Sequence, residues 1–220
     1  MIAVAEPGTL VVAPRRGAVI SCGTRVYLRT MVLDDLAYLA EWVDDPFLDR
    51  MVGSELLRSF KHVYDKSPDF YEAVLTDPTQ VVLMIEANHG HERPLGLARL
   101  FNIHLFEGYA FLETLLADRR AMRRGYGVEA AKLIACYGMD VLNLRRLEAK
   151  VYAYNVLSLN ALRRNGFTRE GVLRQAGFDG ERYWDVVIFG MLRDEMEAQR
   201  KKDKVYLPLE DAEGKVIDSA

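Results

Sequence analysis

Arg119-Arg120-Ala121-Met122-Arg123-Arg124-Gly125-Tyr126-Gly127-Val128-Glu129-Ala130 is the stretch whose reading decides the fold. Four arginines run into a glycine-spaced turn, and the turn opens onto a helix expected over residues 128–141. The apolar run upstream, Tyr109 to Ala117, reads as a strand. A strand, a basic Gly-X-Gly turn and a helix N-terminus together make a site for a phosphorylated cofactor. Glycine lets the backbone approach a ligand closely and adopt positive φ. The first N–H groups of a helix lack intrahelical partners, and the helix dipole favours an anion there. Arginine adds charge-assisted hydrogen bonds to phosphate.

Two phosphate readings compete, beside a bland one in which the turn is only a tight connection with a solvated basic edge. Gly125 to Ala130 formally fits the dinucleotide pattern G-x-G-x-x-[GA]. A dinucleotide fold, however, carries that pattern in its first strand–helix unit, with an acid ending the next strand. Here the turn lies past the middle of the chain, and the next strand, Arg146 to Tyr154, ends in Tyr154-Asn155. The nicotinamide reading is therefore disfavoured.

Outward from the turn, strands are expected at Val26–Arg29, Val81–Glu86, Leu95–Leu100 and Tyr109–Ala117. Asp34 is the expected cap of a helix that Pro46 ends, and residues 47–76 read as mixed, with helix near Phe70 to Leu75. After the turn, Ala130, Leu133, Ile134, Tyr137 and Val141 form a stripe at helical spacing. Small residues there, Ala131, Ala135 and Gly138, would let the helix lie close to a sheet. Leu147, Ala149, Val151 and Ala153 alternate with polar residues as in a half-buried strand. A short helix, Val156 to Arg164, should stop at Asn165-Gly166. Two strands, Phe167–Gln175 and Arg182–Leu192, flank the hairpin turn Asp179-Gly180, and Arg193 to Lys204 reads as polar helix.

The chain has 220 residues, half of them hydrophobic, with a net charge of −3. That argues against broad electrostatic binding to nucleic acid or an anionic membrane. Two cysteines, Cys22 and Cys136, are too few for a disulfide framework, and no signal-peptide layout or membrane-length apolar run is seen. A cytoplasmic protein is expected.

With strand, R-G-Y-G turn, helix, strand, Asn, helix and Asn-Gly-Phe in that order, the chain resembles the GNAT acetyltransferase superfamily. Within it, the likeness points to the ribosomal-protein N-terminal acetyltransferase branch. Arg124-Gly125-Tyr126-Gly127 is similar to the cofactor turn [QR]-x-x-G-x-[GA], read with Glu129 in place of the final small residue and turned outward. Asn155-Val156-Leu157-Ser158, then Asn165-Gly166-Phe167, match the branch's N-x-x-S…N-G-F pattern. Glu170 to Arg174 and Tyr183-Trp184-Asp185 match its closing strands. The likeness is strongest from Glu113 to Leu192.

The resemblance implies a single α/β domain: a twisted, mostly antiparallel mixed sheet with helices on both faces. Around an acetyltransferase domain at 23–195, residues 1–22, with Pro7, Gly8, Pro14 and Gly17 among valines, read as an N-terminal arm, and 196–220 as a polar helix end and charged tail. It implies acetyl-CoA as cosubstrate and no metal. The pyrophosphate would lie on Gly125, Tyr126, Gly127 and Val128, with Arg119 and Arg124 nearby. The pantetheine arm would meet backbone at Leu115 and Ala117, and Asn155 would hold it from the other side. Ser158 resembles the serine that assists the departing thiolate. The superfamily's usual tyrosine acid is replaced by Leu162, and a carboxylate of the branch by Gly177.

Glu113, a charge in an apolar strand, is the candidate base, with Asp179, Glu181 or water as alternatives. The acceptor is an amine, on a small molecule or a protein N-terminus, and a homodimer remains open. Acids outnumber bases from Trp42 to Phe70, which favours a cationic acceptor. The rivals are a catalytically silent acyl-CoA-binding module and a partner-binding role for arm and tail. His89 and His91 read as a solvated turn, His62 and His104 as isolated packing or surface residues, Trp42 and Trp184 as core, and Arg200-Lys201-Lys202 as a solvated face.

Overall fold

The computed structural model of the chain describes residues 17–63, 68–203, 209–210 and 216–217. Strands β1 (Val19–Cys22) and β2 (Val26–Thr30) are followed by helices α1 (Leu36–Trp42), α2 (Pro46–Val52), α3 (Glu55–Val63) and α4 (Pro68–Thr76). Then come β3 (Val81–Ala87), β4 (Gly96–His104), β5 (Tyr109–Leu116), α5 (Tyr126–Asp140), β6 (Arg146–Tyr152) and α6 (Val156–Arg164). The long hairpin β7 (Thr168–Phe178) and β8 (Tyr183–Leu192) leads into α7 (Arg193–Asp203). Two short strands, Leu209–Glu210 and Val216–Ile217, pair antiparallel with each other.

Among the described residues one eight-stranded sheet runs β1-β2-β3-β4-β5-β6-β8-β7. Every pairing in it is antiparallel except β5 with β6. This is the mixed, mostly antiparallel α/β sheet expected from the sequence. Alternation along each strand sends side chains to opposite faces. On one face, Leu83, Ile85, Ala98, Leu100 and Leu112 meet Leu133, Ile134 and Cys136 of α5. On the other, Val82, Met84, Leu97 and Leu115 meet Leu39, Leu56, Phe60 and Phe70 from α1, α3 and α4. Leu133 and Ile134 are fully buried, and burying such a side chain stabilises by about 1.5–3 kcal/mol. Gly138 is where α5 comes nearest the sheet: a Cβ there would lie 2.9 Å from Leu100 Cδ1.

Local chemistry sets several boundaries. Pro46 does not end a helix but begins one: it stands at the first position of α2, where its missing N–H costs nothing. Asp45 caps that helix by accepting from Phe47 N–H at 2.8 Å, and Gly53 closes it at φ 59°. α6 spans the residues expected. Arg29, buried on β2, clasps Asp35 at 2.7–2.8 Å and Glu86, fixing the strand to the entry of α1.

Within the stretch expected as an arm, Val19–Cys22 forms the edge strand β1, and residues 1–16 lie outside the described residues. The expected boundary at residue 195 falls inside α7, whose Met196 is buried in the core. Arg200 is not merely solvated, since it pairs with Asp140 of α5. No helix among the described residues is long and apolar enough to cross a membrane.

Candidate active site

β5 and β6 pair only through Tyr109↔Arg146, Ala110↔Leu147 and Phe111↔Glu148. Beyond that point each follows its other neighbour. β5 stays on β4 as far as Gly96↔Leu116, and β6 stays on β8 as far as Tyr152↔Val186. The strands diverge, and a cavity of about 930 Å³ opens between them. Thr114 and Leu116 line it from β5, Val151 and Tyr152 from β6, and Gly125, Gly127 and Val128 from the start of α5.

The α5 end is built for an anion. Gly125 is the N-cap at φ 87°, preceded by Arg123 at φ 61°. The helix then presents the N–H groups of Tyr126, Gly127 and Val128, which have no intrahelical acceptor. A Cβ on Gly127 would come 3.1 Å from Leu116 Cδ1. Both glycines face the cavity, so the final small residue of the [QR]-x-x-G-x-[GA] pattern is Gly127 and its first position is Met122. Arginine placement differs from expectation. Arg123 and Arg164 line the cavity, whereas Arg124 is exposed outside the lining. Arg119 turns to Asp45 at 2.9 Å and lies over the Phe47 ring. Tyr126 packs edge-on against His91, leaving only its backbone at the turn.

Glu129, freed from the pattern, turns inward rather than outward. Its Oε1 accepts Thr24 N–H and Thr24 Oγ1–H, and its Oε2 accepts the N–H groups of Arg25 and Val26, all at 2.7–2.9 Å. Burial pushes the carboxyl pKa up. The Thr24 hydroxyl and the three backbone N–H groups outweigh burial and hold it below the usual range. The same clasp seats Arg25 over the turn, its Nη1 3.0 Å from where a Gly125 Cβ would be.

The backbone positions expected to meet a pantetheine arm, Leu115 and Ala117, face β4 rather than the gap. Leu115 C=O faces Gly96, whose Cβ would lie only 1.9 Å away, and Ala117 N–H donates to Leu95 O at 2.7 Å. Both residues therefore direct their peptide groups toward β4. The pleat turns the groups of Thr114 and Leu116 toward the gap.

Asn155 caps α6, accepting Ser158 N–H at 3.1 Å and donating to Met51 O at 2.7 Å. Its buried amide ties α6 to α2, and the residue lines the cavity. Ser158, in the first turn of α6, lines the cavity, and so does Leu162.

At the opposite end, Glu113 is not a bare carboxylate. Ser54 Oγ donates to its Oε1 at 2.7 Å, and Arg99 Nη2 to its Oε2 at 3.2 Å. Arg99 is 4% exposed, and its Nε has no hydrogen-bond partner although Glu113 Oε1 is 3.2 Å away. Sequence reasoning missed Arg99; a charge in each of two neighbouring apolar strands was the available signal, since Arg99 and Glu113 are in register. It also missed Tyr152, whose ring lies against Gly177 so closely that a Cβ would sit 2.0 Å from Cε1. Gly177 is glycine because the tyrosine occupies that space.

The alternative bases, Asp179 and Glu181, lie in the β7–β8 turn. Asp179 is held at about 2 by the backbone N–H groups of Arg182 and Glu181 and by Trp184 Nε1–H. Glu181 is exposed, 3.7 Å from Arg50. The acids between Trp42 and Phe70 are largely neutralised: Asp44 by Lys61, Asp45 by Arg119 and Asp49 by Arg58. Asp65 and Lys66 lie outside the described residues, as do the side chains of Glu55 and His62.

A family model for the acetyltransferase (GNAT) domain matches residues 25–168. The uncharacterized N-acetyltransferase YnaD of Bacillus subtilis is 29% identical over 98 residues, covering 44% of this chain and 54% of that protein. The chain thus spans about half the length of that relative. Spermidine N(1)-acetyltransferase of Escherichia coli is 26% identical over 187 residues, covering 80% of this chain and 90% of that protein. The crystal structure of a Vibrio cholerae spermidine N-acetyltransferase, in complex with CoA and spermine, superposes with a TM-score of 0.68. It is 18% identical and covers 80% of this chain and 99% of that one, a likeness of fold. The relatives that cover about 80% of the chain include spermidine N-acetyltransferases, rather than the ribosomal-protein N-terminal branch that the motifs resemble. The chain belongs to the acetyltransferase (GNAT) family.

Proposed function

We propose that this protein transfers an acetyl group from acetyl-CoA to a primary amine by direct attack. One observation carries the reading: β5 and β6 separate beyond Phe111 and Glu148 directly beside a glycine-capped helix N-terminus. The residues present fit the cosubstrate. The N–H groups of Tyr126 to Val128, with Arg123 and Arg164, would hold the pyrophosphate; Thr114 and Leu116 would offer backbone to the pantetheine amides. Acetyl-CoA supplies the thioester.

The deprotonated amine attacks the thioester carbon, the C–N bond forms, the C–S bond breaks and the sulfur leaves as a thiolate. Ser158, on the cavity wall, donates a hydrogen bond to that sulfur. The Glu113–Arg99–Ser54 cluster shapes the acceptor end, and the amine proton leaves to water in the open cavity. Preorganised donors act where charge develops.

The test is release of free thiol from acetyl-CoA across a panel of amines, alongside thermal protection by CoA. Protection together with amine-dependent thiol release supports the proposal. Protection without thiol release with any amine would favour the silent CoA-binding module.

A further inference from the structure

Resting on the acyl-transfer reading, we infer that the acceptor is a primary monoamine with a flat apolar body, and not a polyamine. The first support is an account of charge. With Arg123 and Arg164 assigned to the pyrophosphate, the remaining charged lining is two carboxylates, Asp49 and Glu113, against three cations, Arg58, Arg99 and Lys150. Both carboxylates already have guanidinium partners. Asp49 Oδ1 accepts from Arg58 Nε and Nη2 at 3.2 and 3.1 Å, and Glu113 is clasped by Arg99.

A polyamine entering this wall brings further ammonium groups that each need a counter-charge as they leave water. To supply one from Glu113, the protein would have to strip the partner from an arginine that is 4% exposed. Asp49 could offer one only beside the Arg58 guanidinium that already holds its Oδ1, which places two cations on one carboxylate.

Aromatic faces are the other refuge for a cation, and here they are already used. The rings of Phe101 and Phe111 stack side by side across β4 and β5, 5.5 Å apart and 29° from parallel. Arg99 lies 4.2 Å over the first and the Lys150 ammonium 4.9 Å over the second. A second ammonium at these rings would meet two cations in place. What remains is apolar wall, Met51, Val52, Tyr152 and Phe178, beside the cation-capped rings of Phe101 and Phe111. Such a wall takes a ring or a branched hydrocarbon, and the one amine of such a molecule enters the reaction as the neutral nucleophile.

Calorimetric titration of the CoA-saturated protein with 2-phenylethylamine and with spermidine tests this independently of turnover. We expect the monoamine to bind at least tenfold more tightly. Phe111→Ala should weaken the monoamine at least fivefold with CoA affinity unchanged. Lys150→Glu, which adds an unpaired carboxylate, should narrow the preference by strengthening spermidine. Spermidine binding as tightly as the monoamine, or neither amine binding while CoA does, overturns the inference. A monoamine that binds preferentially without thiol release would support this acceptor wall and count against the transfer reading instead.

Discussion

Glu129 and Thr24 are joined twice, through Thr24 N–H at 2.9 Å and Thr24 Oγ1–H at 2.7 Å, both donating to the same carboxylate oxygen. One residue stands in the first turn of α5 and the other in the turn between β1 and β2. The carboxylate sits beside the glycine turn proposed to bind pyrophosphate, where an unsatisfied negative charge would repel it. Four donors neutralise it and bring Arg25 over Gly125. The clasp thus joins the N-terminal hairpin to the anion site.

Glu129→Ala should destabilise the protein by about 2–3 kcal/mol, because several backbone donors lose a charged acceptor together. The pH dependence follows from the lowered carboxyl pKa. A depressed folded pKa contributes stability that is fully present above the unfolded value, about 4.3. That contribution is lost as pH falls through the folded value. The gap in denaturant midpoint between wild type and variant should be narrower at pH 3 than at pH 7; a gap that does not narrow would refute the assignment.

Gly127→Asp should leave the fold intact and remove thermal protection by CoA. Its Cβ meets only the flexible end of Leu116, at 3.1 Å, but adds negative charge at the helix N-terminus. Wild type should gain about 2.7 kcal/mol at a CoA concentration a hundredfold above Kd. Normal protection of the variant would show that the anion site lies elsewhere.

Ser158→Ala should lower kcat by about 100-fold, the low end for loss of a positioned proton donor. The KM for acetyl-CoA should change little, because the thiolate appears only along the reaction path. A matched loss in acetyl-CoA affinity would mean the serine binds rather than assists departure.

Glu113→Gln should keep the low-pH limb of the rate profile, since its carboxylate serves Arg99 and Ser54. It should cost about 3 kcal/mol of stability, because the buried guanidinium loses its counter-charge. Loss of that limb in a variant that remains folded would return Glu113 to the role of base.

Gly177→Asp, which would place a carboxylate where the branch has one, should destabilise by about 1–3 kcal/mol through overpacking against Tyr152. Adding Tyr152→Ala should recover part of that loss, since a Cβ at 177 lies 2.0 Å from the ring and residues in contact couple non-additively. Strict additivity of the two substitutions in chemical denaturation would contradict the contact.

The sequence by itself determined whatever is written in local periodicity and backbone chemistry. Gly125 and Gly127 announced the turn, alternation announced β6, and Asn155 with Asn165-Gly166 bounded α6 as observed. Asp179-Gly180 announced the β7–β8 hairpin. These signals operate within a few residues, where φ, capping and side-chain period act directly. Helices α2 and α3 were less legible, since Pro46 begins a helix as readily as it stops one.

Only the tertiary structure decided which strand edges face the gap. That depends on β6 choosing β8 over β5 beyond Glu148, and on a pleat that turns the peptide groups of Thr114 and Leu116, rather than those of Leu115 and Ala117, toward the gap. It also decided that Glu113 would meet Arg99 and Ser54 and that Tyr152 would fill the space over Gly177. Glu129 was brought to Thr24 from 105 residues away. Such contacts follow from strand order and register, which bring distant residues together by burying both sheet faces at once, and no local pattern in the chain encodes that juxtaposition.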